Sequence, residues 1–122
     1  MKYNLAFKYR IYPNKEQELL INKTFGCVRF VYNTILYIAN KIYEETGKNK
    51  IITPASLKSE NQFLKEVDSL ALSNAQLNVK RSFTNFFQKR AKFPKFKSKK
   101  TSVKSYTTNC VNNSIRIEEN KY

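Results

Sequence analysis

From Lys2 to Tyr12 the chain alternates, with Tyr3, Leu5, Phe7, Tyr9 and Ile11 on one face and Lys2, Asn4, Lys8 and Arg10 largely on the other. A period of two over aromatic and branched residues predicts a half-buried strand, which Pro13 ends. Asn14 with Gln17 three residues on is a capping-box pattern, starting a helix through Glu18, Leu19, Leu20, Ile21 and Asn22 to about Phe25. Gly26 permits a break or tight crossing there. Beyond it Cys27, Val28, Val31, Tyr32, Ile35, Leu36, Ile38, Ala39 and Ile42 recur at three and four residues, predicting a second, long amphipathic helix to about Thr46. Gly47 is placed to cap its C-terminus, and Lys48-Asn49-Lys50 is a polar turn. Thr53 as N-cap and Pro54 in the first helical position predict a short third helix carrying Leu57, Phe63 and Leu64. Asp68 caps a fourth, whose Leu70, Leu72, Leu77, Val79, Phe83, Phe86 and Phe87 face the core before it ends near Arg90.

The pattern then changes. From Ala91 to Ser105, Phe93, Pro94 and Phe96 stand among Lys92, Lys95, Lys97, Lys99, Lys100 and Lys104. Too little of this is apolar to bury, and Pro94 is incompatible with a helix interior. Tyr106 to Val111 and Ser114 to Glu118 read as two short strands about the turn Asn112-Asn113, because Asn tolerates the left-handed backbone of such hairpins. The predicted fold class is mainly α with a small β part: an N-terminal strand, four helices, a basic connector and a C-terminal hairpin.

Charge sharpens this picture. The 122 residues carry 23 Lys and Arg against nine Asp and Glu, a net charge of +14. No acid occurs from Ser69 to Ile117, where Lys80, Arg81, Lys89, Arg90, Lys92, Lys95, Lys97, Lys99, Lys100, Lys104 and Arg116 all fall. A surface built for solubility alone would mix signs; this segregation points to DNA or RNA, since each cation set against a phosphate releases a counterion. Hydrophobic residues at 41% suffice for a core. The longest apolar run, Phe30 to Ala39, falls far short of the roughly 20 residues of a membrane span, and the N-terminus does not resemble a signal peptide. The chain therefore reads as cytoplasmic, with no membrane partner, and Cys27 and Cys110 as separate reduced thiols.

Several chemistries are excluded. There is no His, which excludes His-based acid–base catalysis. Asp68 is the one Asp, and the eight Glu lie in local groups on helical or terminal segments that read as ordinary surface rather than as carboxylates converging on two metals. Two isolated Cys do not make a zinc site, and Gly26 and Gly47 do not make a phosphate loop. No catalytic residue, metal site or cofactor is expected.

The strongest local signal runs from Lys89 and Arg90 through Lys92, Lys95, Lys97, Lys99 and Lys100, with Lys104 beyond. Such cations can follow a phosphate backbone while Phe93 or Phe96 stacks on a base, a combination suited to single strands and RNA as well as duplex. The alternative is a solvated linker whose two Phe tuck onto the helices, and both arrangements can hold together. Lys8 and Arg10 add phosphate-binding cations near the N-terminus. Arg29, Asn33, Tyr37, Asn40 and Lys41 on the long helix, and Ser69, Ser73, Asn74, Gln76 and Lys80 on the last, include types able to read base edges, though such residues also form the wet face of any amphipathic helix. Asn112 and Asn113 are turn formers first and base readers second.

Phe7-Lys8-Tyr9-Arg10-Ile11-Tyr12-Pro13-Asn14, Gln17, Leu20-Ile21-Asn22, Arg29-Phe30-Val31-Tyr32-Asn33, then Phe86-Phe87 and Phe93-Pro94-Lys95-Phe96-Lys97 together resemble the N-terminal part of the TnpB (OrfB) proteins. These are transposon-encoded, RNA-guided nucleases long described as transposases, and this region of them is often labelled a helix-turn-helix domain. The resemblance implies that residues 1–12 form the first strand of a split wedge barrel, 13–91 a helical recognition lobe, and 92–122 the basic connector and a hairpin of an incomplete barrel. It implies binding of guide RNA and target DNA, with Asn112, Ser69 and Ser73 near the duplex motif flanking the target. In the family a RuvC-type carboxylate triad and a zinc ribbon lie beyond the point matching Tyr122. The expectation is a truncated member that binds without cutting, any cleavage being left to a downstream or separate domain. A stand-alone DNA-binding repressor and a non-functional remnant of a transposon gene are the other readings.

Overall fold

The computed structural model describes residues 5–8, 10–100 and 104–109. Helix α1 spans Lys15–Thr46, α2 Ala55–Lys58 and α3 Ser69–Phe87, with a 3-10 turn at Gln62–Glu66 between the last two. The ends of α1 are set locally, as expected. Asn14 Oδ1 accepts the Gln17 N–H at 2.9 Å while Gln17 Oε1 accepts the Asn14 N–H at 3.0 Å, completing a capping box. At the other end Gly47 takes the left-handed conformation at φ 71° and returns its N–H to the Tyr43 carbonyl.

The predicted break at Gly26 does not occur: the two expected helices are one, 32 residues and about 48 Å long. A glycine inside a helix costs about 1 kcal/mol relative to alanine. Burial of Cys27, Val31 and Ile35 in the turns that follow outweighs this, at about 1.5–3 kcal/mol for each large side chain.

The expected third helix is also altered. It splits into α2 and the 3-10 turn at Asn61, whose backbone N–H and side-chain amide both donate to the Leu57 carbonyl. The helix stops there because the Asn61 backbone itself leaves the helical region, at φ −128° and ψ 72°. Pro54 occupies the N-cap position rather than the first helical one. A four-helix lobe is thus corrected to three helices and a 3-10 turn. Asp68 caps α3 as anticipated, Oδ1 accepting the Leu70 N–H at 3.0 Å.

The core lies between α1 and α3. Cys27, Val31, Tyr32, Ile35, Leu36 and Ala39 meet Leu72, Ala75, Val79 and Phe83, with Leu57, Leu64 and Val67 closing one side. On α3 the buried positions 71, 72, 75, 79 and 83 form one face at helical spacing. Leu77 and Phe87, expected in the core, fall off that face and stand about half exposed. The small Ala71 and Ala75 occupy it instead. Gln76 reaches the Ile52 carbonyl at 3.0 Å and fastens the returning segment to α3.

No strand forms among the described residues. Leu5, Phe7 and Ile11, the intended buried face of the first strand, are 60–76% exposed. A strand satisfies its backbone only through a neighbour, and no ladder reaches 5–8 or 10–12. Tyr106–Asn109, the start of the expected hairpin, is likewise irregular. The remainder of that hairpin, including Asn112, Asn113 and Arg116, lies outside the described residues.

Candidate nucleic-acid interface

The connector leaves α3 through a Schellman-type turn. Lys89 sits at φ 60° with its N–H on the Phe86 carbonyl, and the Arg90 N–H reaches Asn85. The chain then folds back onto the helices. Phe93 packs edge-on against Phe86 at 5.1 Å and Phe83 at 5.7 Å between ring centroids. Four residues later the Asn33 side chain of α1 clamps the Lys97 backbone, Nδ2 donating to the carbonyl and Oδ1 accepting the N–H, both at 2.8 Å. The Lys97 ammonium lies 4.4 Å over the Tyr32 ring, a cation–π contact. Tyr32 is fixed in turn through its hydroxyl, 3.1 Å from Ser82 Oγ.

This geometry sorts the expected phosphate-binding residues. Lys92, Lys95, Lys99 and Lys100 project from a backbone anchored at Phe93 and Lys97, and they are exposed, as are Lys89, Arg90 and Lys104. Lys97 is partly spent on Tyr32. Of the two candidate stacking rings, Phe93 packs edge-on to the helices yet stays 46% exposed, and Phe96 is 56% exposed. Lys8 and Arg10 are exposed on the segment ahead of α1, Arg10 lying 5.9 Å from the Tyr12 ring centre.

A second stretch of chain comes back to the start of α3. Tyr106 meets Phe25 of α1 at 5.8 Å, and the Thr108 hydroxyl donates to the Asp68 carboxylate that caps the helix. The Asn74 amide spans Leu70 O at 2.9 Å and Asn109 Oδ1 at 2.7 Å. Ser69 and Ser73 are exposed on the first turns of α3, on the same end as these contacts. Among the polar residues able to read base edges, Asn33, Asn74 and Gln76 are therefore occupied in holding the fold together.

A groove of about 520 Å³ opens along α1, lined by Gly26, Arg29, Phe30, Asn33, Thr34, Tyr37 and Phe63. The sequence places Arg29, Asn33 and Tyr37 on one polar face and gives Phe63 to the third helix with Leu57 and Leu64, with no local signal joining it to that face. Phe63 arrives from the 3-10 turn, 26 residues or more beyond the groove's α1 positions in sequence, by packing edge-on to Phe30 at 5.2 Å. Cys27 lies behind this face as a free, buried thiol. Burial pushes its pKa up, Lys23 counters, and Glu66 adds to the rise, so it stays a neutral packing group. Among the described residues no three His, Cys, Asp or Glu side chains come together to hold a metal, and no helix is long and apolar enough to cross a membrane.

Residues 1–48 match the helix-turn-helix domain of the IS605 OrfB proteins. The chain belongs to this OrfB (TnpB) family. It is 39% identical over 104 residues to a Streptomyces pristinaespiralis protein with the provisional name RNA-guided DNA endonuclease. It is 34% identical over 108 residues to Escherichia coli K12 InsQ, provisionally named in the same way. These matches take in 80% and 81% of this chain but 26% of each relative, so the chain spans about a quarter of their length. The virulence protein VsdF of Salmonella dublin is 39% identical over 110 residues, covering 77% of this chain and 92% of VsdF. The domain's customary name does not describe α1, which passes through Gly26 without a turn.

Proposed function

We propose that this chain is a recognition element that binds guide RNA, target DNA or both, chiefly through phosphate contacts, and that it does not itself cleave. One observation carries this reading: Phe93 and Asn33 fix the backbone of the connector on the helices while Lys92, Lys95, Lys99 and Lys100 remain exposed. An array held in place loses less entropy on binding than a free tail. In this reading residues 13–91 act as the recognition lobe and 92–122 as the connector and re-entry. Ser69 and Ser73, with Asn112 and Asn113, then lie toward a duplex flanking the target. Membership of the OrfB family and the names of the two long relatives support an RNA-guided role alongside a catalytic partner domain.

The test is a salt titration of binding to RNA and DNA oligonucleotides. Replacing Lys92, Lys95, Lys99 and Lys100 together with Ala leaves Lys97 to hold the connector. It should weaken binding and flatten the log affinity against log salt line by about 3 units, at roughly 0.7 to 0.9 per phosphate contact. An unchanged slope would overturn the connector as the binding surface.

A further inference from the structure

We infer that the groove on α1 is a nucleotide site: it takes one unstacked base of a single strand, with Arg29 on the adjoining phosphate. This rests on the nucleic-acid-binding reading and adds to it a site that contacts bases as well as phosphate.

The walls are aromatic. Phe30 and Phe63 stand edge to face at 5.2 Å. Phe63 is 43% and Tyr37 53% exposed, leaving ring surface free to cover a base. At about 520 Å³ the groove falls within the 300–1,000 Å³ range of small-molecule sites, enough for one nucleotide and well short of a duplex. The space beside Gly26 is open: a Cβ there would have only the Arg29 guanidinium within reach, at 4.0 Å.

The charge decides the occupant. Arg29 is part-buried in the groove, with no ion pair or side-chain hydrogen bond among the described residues. No lining residue is acidic, so a guanidinium able to bind a phosphate bidentately has no internal counter-charge beside it. Lys41, with its ammonium 5.7 Å from the Tyr37 ring centre, adds a second cation at that end. Asn33 lines the groove and also clamps Lys97, so a strand running along the connector's lysines passes directly into it. An acidic peptide would satisfy Arg29 but leave three aromatic faces without planar partners. A base on a phosphodiester backbone matches both.

Binding of the full chain to single-stranded RNA, single-stranded DNA and duplex DNA of one sequence tests this. Tyr37→Ala and Phe63→Ala should each weaken single-strand binding about tenfold, within the span measured for base–aromatic stacking. The salt slope should hold, and duplex binding should stay within about twofold. Tyr37→Phe should retain the affinity, which separates stacking from damage to α1. Arg29→Gln should weaken binding and reduce the salt slope by about 0.7, one single-strand phosphate. The larger loss in the RNA or the DNA arm tells which strand occupies the groove. Single-strand binding indifferent to Tyr37→Ala and Arg29→Gln, or a loss of equal size on duplex, would overturn the groove site while leaving the connector reading intact. A wild-type chain that binds no nucleic acid would remove both.

Discussion

Asn33 turns its amide toward the Lys97 backbone rather than to solvent, and both of its bonds bridge positions 64 residues apart. A side chain amide matched to a peptide unit in this way satisfies a donor and an acceptor at once, each bond contributing about 1 kcal/mol. Asn33→Ala should therefore free the connector without removing a charge. The expected result is faster amide exchange at residues 93–97 and nucleic-acid affinity lower by about three- to tenfold, with the salt slope unchanged, since no phosphate contact is lost. A reduced slope would mean that the freed connector no longer sets all of its lysines against phosphates. In the sequence Asn33 was one of several polar residues on a helix face. Nothing local distinguishes a clamp from a base reader, because its partner is selected only when the connector folds back.

At the scale of elements, helix ends were legible and helix continuity was not. The Asn14 capping box, Gly47 and Asp68 act within a few residues of themselves, and all three form as their spacing predicts. Gly26 carries a local penalty that burial in the turns after it overcomes, so the break disappears. The exit of α3 is the reverse case: a left-handed position that sequence did not mark, because Lys89 holds it where glycine is usual. A non-glycine residue at φ 60° costs about 1–2 kcal/mol. Lys89→Gly should recover about 1 kcal/mol, raising the melting temperature by about 4–8 °C for a domain of this size. Thermal unfolding followed by circular dichroism measures this. A fall in melting temperature would indicate that the Lys89 side chain is held by contacts worth more than the strain.

For the whole molecule, the apolar row Leu5, Phe7, Ile11 and Tyr12 and the neighbouring Leu19 and Leu20 of α1 remain at the surface, while the described core is confined to α1, α3 and the segment between them. The cations are carried by a connector laid over that core, and no acid occurs from Ser69 to Ile117 to oppose them. Recognition without chemistry is the behaviour proposed for this arrangement. Purified chain incubated with magnesium, an RNA guide and its matched DNA should leave both strands intact on a denaturing gel. Strand scission that persists through repurification and follows the protein peak would refute that proposal. The sequence by itself determined the helix caps, the amphipathic faces of α1 and α3 and the segregation of charge, because each of these depends on neighbours within a turn or two or on composition alone. The tertiary structure alone decided that Gly26 is bridged and that residues 5–8 and 10–12 form no strand. It alone decided that Phe93 and Lys97 are fastened to the helices and that Phe63 completes a groove with Arg29. Each of those outcomes depends on partners distant in sequence: burial or pairing with them overrides the local preference at Gly26, Phe93, Lys97 and Phe63, and the lack of a pairing neighbour leaves residues 5–8 and 10–12 without a strand.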